Sequence, residues 1–119
     1  MTEIDKLLSN GKSIENKKLY QIISFIGDGK LKDGDDSFRQ FLKNVSNDLL
    51  IKYAEDCLDK GFNDSGLALQ DIVNEIGSRL GFSIINGLYR GTRNKIGFDG
   101  LWKQYDNWTL LVEVKTTDA

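Results

Sequence analysis

Glu113 and Lys115 stand two residues apart in LLVEVKTTDA, residues 110–119, inside a run of Leu and Val. Strand alternation sets Leu111, Glu113 and Lys115 on one face and Val112 and Val114 on the other. A carboxylate or an ammonium buried without compensation costs several kcal/mol, so an apolar strand that carries both asks for a chemical reason. A second carboxylate, Asp99, lies in GFDGLW, residues 97–102. With a turn at 103–107, Trp102 is predicted opposite Trp108 and Asp99 opposite Leu111. Asp99 then lies diagonal to Glu113, within about 7–8 Å. Two carboxylates converging on one point, in a chain with no histidine, match the oxygen coordination that magnesium or manganese takes. Such an ion polarises a phosphoryl oxygen and acidifies bound water, and a neighbouring lysine can orient that water or neutralise charge on the phosphate. The chemistry implied is hydrolysis of a phosphodiester.

Composition removes the main competitors. Cys57 is the single cysteine and histidine is absent, which excludes a disulfide, Cys/His zinc sites and Ser-His or Cys-His catalysis. Cys57 falls on the apolar side of a predicted helix with Leu50, Tyr53 and Ala54, the position of a core residue. GDGK, residues 27–30, lacks the upstream glycine and the Ser/Thr of a phosphate loop. DGDD, residues 33–36, lacks the oxygen spacing and terminal Glu of a calcium loop. No apolar run of about 18 residues and no leader pattern occurs, so a cytoplasmic protein with no membrane partner is expected. Residues 1–65 hold twelve acidic and ten basic side chains and residues 66–119 six of each, so overall charge does not favour nucleic acid. The exception is local. Arg90, Arg93 and Lys95 lie in a stretch, residues 82–98, without an acidic residue.

The elements that must position these groups follow from periodicity. Length and pattern predict an α+β chain: a helical subdomain over 1–62, then over 63–119 a helix and an antiparallel meander of about three strands. Helices are expected at 2–9 and 14–26, then a short one capped by Asp36 or Ser37 through Phe38, Phe41 and Leu42. A further one, capped by Ser46, carries Leu49, Leu50, Tyr53, Ala54, Cys57 and Leu58 on its apolar side. The second part opens with a helix over 66–80, capped by Ser65, with apolar face Leu69, Ile72, Val73, Ile76 and Leu80 and a left-handed stop at Gly81. Strands are expected at 82–86, 96–102 and 108–115.

Asp99 in GFDGLW, a spacer, and Glu113 and Lys115 in VEVK resemble the core of the PD-(D/E)-x-K nuclease superfamily, the restriction-endonuclease-like fold. The EIGSRLGF helix and the GLYRGTRNKIGFDG approach are similar to restriction-type endonucleases in which a helix precedes the catalytic hairpin. Phe98 stands where the signature has proline. The resemblance covers residues 66–119 and implies a metal-dependent endonuclease acting on double-stranded DNA. Asp99 and Glu113 would then hold magnesium or manganese, Lys115 would be the catalytic lysine, and Arg90, Arg93 and Lys95 would contact phosphates. Some members add an acid from the leading helix, for which Glu75, then Asp71, is the candidate; Glu75 also has Arg79 at i+4 for an ion pair. The resemblance also implies further strands after Lys115, so the chain reads as part of a larger nuclease or as one completed by self-association, a homodimer through the exposed last strand. The alternatives are a non-catalytic nucleic-acid-binding or assembly module of the same fold, and a structure-specific junction nuclease.

Overall fold

The computed structural model describes residues 17–26, 29–59, 61–89, 98–104 and 109–115. Helices precede strands, as the periodicity predicts: α1 Leu19–Ile23, α2 Ser37–Lys43, α3 Asn47–Asp59 and α4 Ser65–Arg79, then β1 Ser83–Asn86, β2 Gly100–Lys103 and β3 Thr109–Val112. The strands form one antiparallel sheet in the order β1-β2-β3, so the architecture is α+β. The helix predicted at 2–9 lies outside the described residues.

Local chemistry accounts for most boundaries. Ser46 caps α3, its Oγ accepting the Leu49 N–H at 3.1 Å. At the end of α4, Gly81 takes φ +102°, the Phe82 N–H donates to Gly77 O and the Gly81 N–H to Ser78 O, a full Schellman stop. Two caps differ from expectation. Ser65 is the first helical residue, preceded by Asp64 at φ 67°, whose carboxylate accepts the Leu31 N–H instead of closing the helix. Asp36 precedes α2 without a side-chain cap, and Asp35 accepts both the N–H and the hydroxyl of Ser37.

One buried cluster joins Leu19, Ile22 and Ile26 with Phe38, Phe41 and Leu42 of α2, Leu50, Tyr53 and Cys57 of α3, and Ala68, Leu69 and Ile72 of α4. Burial pushes the Cys57 thiol up to about 12, the behaviour of a core residue. Leu58 and Leu80, both expected on apolar faces, are 59% and 69% exposed. α3 buries the row Leu50, Tyr53 and Cys57, which turns the next residue outward, and Leu80 sits where the chain swings away at Gly81. Among the described residues no helix is long and apolar enough to cross a membrane.

α4 lies unusually close to the sheet because glycines remove the intervening side chains. Trp102 of β2 seats over Gly77, where a Cβ would stand 2.6 Å from the indole ring, and its ring centroid is 5.3 Å from that of Phe82. Gly77→Ala improves helix propensity by about 0.8–1.0 kcal/mol. The clash with Trp102 should outweigh that gain, so urea unfolding is expected to show net destabilisation of about 1–3 kcal/mol. An unchanged or raised midpoint would refute this account of the helix-sheet contact.

Candidate active site

The site is built where β2 and β3 part. Trp102 faces α4, and the register Ile84↔Trp102↔Leu110 sets its partners on the same side. Val112, opposite Gly100, follows them, and Val114 packs against the core. Glu113 and Lys115 alternate to the outer, exposed side. β3 ends at Val112, short of the strand expected over 108–115, so Glu113 and Lys115 lie beyond it; burial still alternates there, with Val112 and Val114 half-buried and Glu113 and Lys115 exposed.

The register itself differs from expectation. Gly100 pairs with Val112 and Trp102 with Leu110, not Trp108, so the connection spans 104–108 instead of 103–107. A slip of two residues keeps every side chain on its face but moves Asp99 along β3. Asp99 no longer opposes Leu111. Its N–H donates to Val112 O at 3.0 Å, so Asp99 and Gly100 both stand against Val112, which amounts to a β-bulge. Its carboxylate Oδ2 accepts the Val114 N–H at 2.5 Å, the bond that a continuing strand would otherwise have taken. Asp99 is thus tied to both neighbours of Glu113 and brackets it along the chain.

Asp99 is also fixed from behind. Its carbonyl accepts the Gly87 N–H at 3.0 Å and the Asn74 Nδ2–H at 2.8 Å, while Asn74 Oδ1 accepts the Trp102 indole N–H at 2.9 Å. A Cβ on Gly100 would run into Asn74 Oδ1, and one on Gly87 into the carbonyls of Phe98 and Asp99. Gly100 and Gly87 thus permit the close approach that the bulge requires. Asn74 is 2% exposed and was not among the candidate residues. The available signal was a polar side chain two residues after Ile72 and next to Val73 on an otherwise apolar helix face.

Glu75 is placed elsewhere. Its carboxylate pairs with Arg79 Nε at 2.8 Å, the i,i+4 contact expected from spacing, and with Lys43 Nζ of α2 at 3.7 Å. Among the described residues no group of three or more acidic or cysteine side chains is placed to hold a metal ion, so Glu75 is not brought to Asp99 and Glu113. Arg79 has a wider task, donating to Leu42 O and Val45 O at the end of α2.

Asp71, the other acid considered on α4, is buried with Arg39 and Tyr89. Arg39 Nε donates to Asp71 Oδ1 at 2.9 Å, the Tyr89 hydroxyl donates to Asp71 Oδ2, and the guanidinium lies over the Tyr89 ring, 4.5 Å from its centroid. Burial raises the Asp71 carboxyl above its ordinary value, with Tyr89 and Arg39 pulling it back. Burial beside that carboxyl likewise raises the Tyr89 phenol, so it remains a donor. Arg39, Asp71, Asn74 and Glu75 line a cleft of about 250 Å³ between α2, α4 and β1. Arg90, Arg93 and Lys95 lie outside the described residues. The segment holding them leaves after Tyr89 and returns at Phe98, so its ends flank the hydrogen-bonded Gly87 and Asp99.

No family model, curated protein or solved structure matches the chain.

Proposed function

We propose that this chain carries the catalytic group of a metal-dependent endonuclease of restriction type, acting in the cytoplasm on phosphodiester bonds of double-stranded DNA. The observation that supports it most is the bracketing of Glu113 by Asp99 on the outer margin of the sheet, with Lys115 on the Glu113 face. The donor chemistry fits magnesium or manganese. Both ligands are hard carboxylate oxygens, only one oxygen of Asp99 is engaged by Val114, and magnesium is commonly held by one or two carboxylates with water completing its shell. Asp99 and Glu113 would hold the ion, which when bound polarises a phosphoryl oxygen and acidifies water.

The remaining work belongs to the chain. Lys115 extends an ammonium with three donors and no acceptor, suited to a phosphate oxygen whose charge grows as the phosphorus–oxygen bond breaks. Asn74 and the Gly87 N–H keep the Asp99 backbone from following the strand outward. Arg90, Arg93 and Lys95 bind the DNA backbone and carry no base specificity by that contact. The direct test is conversion of supercoiled plasmid to nicked or linear DNA by the full chain. Cleavage should require magnesium or manganese and stop with a chelator; metal-independent cleavage would overturn the reading.

One observation favours a second reading, an assembly module of the same fold. β3 is paired on one side only among the described residues, and its Leu110 and Leu111 are 42% and 60% exposed. An apolar strand edge of this kind invites another copy, giving a homodimer. A chain that sediments as a dimer yet leaves plasmid uncut with magnesium or manganese present would favour this reading over the nuclease.

A further inference from the structure

The helical first half touches Asp99 through a short relay. Arg39 of α2 is the hinge: Asp71 of α4 holds its Nε at 2.9 Å, and its outer NH2 donates to Gly87 O at 2.9 Å. The Gly87 N–H then donates to Asp99 O at 3.0 Å, the same carbonyl that takes the Asn74 amide at 2.8 Å. Two helices thus converge on one oxygen, α4 directly and α2 through Gly87, whose C=O accepts from Arg39 and whose N–H reaches Asp99. The Asp99 carboxylate lies on the far side of that residue, on the Val114 N–H. A carbonyl pinned by two donors leaves the side chain little choice of direction.

We infer that Arg39 and Asn74 are positioning residues for Asp99, through which the helical half of the chain sets the geometry of the acidic pair. The inference rests on the endonuclease reading for its metal and on the hydrogen bonds alone for its geometry. Arg39 also stacks on the Tyr89 ring, so the same guanidinium holds both Gly87 and Tyr89. Arginine is required because its planar fork reaches Asp71 and Gly87 at once, which a lysine point charge does not reproduce.

The test uses Arg39→Lys and Asn74→Ala in the full chain, with Lys43→Ala as a control in the same cleft that touches Glu75 but not the relay. Arg39→Lys keeps a positive charge beside Asp71 and is the variant that retains the fold if Asn74→Ala does not. The first readout is amide hydrogen exchange in the metal-free chain. Val114, whose N–H bonds to the Asp99 carboxylate, should lose protection by about tenfold relative to Leu110, whereas Lys43→Ala leaves the ratio unchanged. The second is manganese titration, where the two variants should bind about tenfold or more weakly and the control as the parent. If Val114 and Leu110 lose protection together, or neither does, the residues are merely structural and the inference is wrong. A parent chain that binds no manganese removes the endonuclease reading, and the exchange ratio then decides the positioning role by itself.

Discussion

Glu113→Gln is expected to lower magnesium-dependent DNA cleavage by about a thousandfold or more, since a metal clamp supplies several kcal/mol and each 1.36 kcal/mol is a factor of ten. Glutamine keeps the shape of the side chain and one carbonyl oxygen but removes the charge that holds a divalent ion. The fold should not notice. Glu113 is exposed and follows the last residue of β3, and surface substitutions of this kind fall within about ±0.5 kcal/mol. Activity should therefore collapse at constant melting temperature, measured by plasmid nicking alongside circular dichroism. Lys115→Met should behave alike, with metal binding retained. If Glu113→Gln cuts as the parent does, Glu113 is only a solvated strand residue.

Arg39→Met is expected to show the opposite profile, a loss of stability of about 3–5 kcal/mol, because it strands a buried carboxylate. The Asp71 side chain is 0% exposed and depends on Arg39 and the Tyr89 hydroxyl. Burial already holds Asp71 above the ordinary carboxylate value of 3.8, and removing Arg39 takes away one of the groups that pull it down. The sign with pH follows. A carboxyl whose folded value exceeds its unfolded value favours folding fully below 3.8, and that contribution is lost as pH rises through the folded value. The deficit of Arg39→Met against the parent should be largest at neutral pH and narrow on acidification. Urea unfolding of both chains at neutral and mildly acidic pH reads this out, and a deficit that widens in acid would contradict it.

What the sequence disclosed was what local chemistry controls. The order of helices and strands, the Ser46 cap, the Gly81 stop and the burial of Cys57 all follow from spacing and side-chain type within one element. The hairpin register did not, because the connecting sequence QYDNW holds no two-residue Asn-Gly or Asp-Gly turn to set it. The register is decided by contacts distant in sequence, Trp102 on Gly77 and Gly100 against Asn74. The error was an even number of residues, which is why the faces survived while the partner of Asp99 changed. Asp71 and Asn74 were opaque for a related reason. Each is a polar residue on an apolar helix, and its meaning lies in Arg39, 32 residues earlier, or in Asp99, 25 residues later. Glu75 shows the converse, since its Arg79 partner is local and was read from spacing.

The central claim is that Asp99 and Glu113 share one divalent ion. Its most direct test is titration of the isotopically labelled chain with substoichiometric manganese while amide signals are followed by NMR. The account predicts that Asp99, Glu113, Val114 and Lys115 broaden first, and that Asp99→Asn abolishes the effect. Broadening centred on Asp33, Asp35 and Asp36, or none at all, would contradict it.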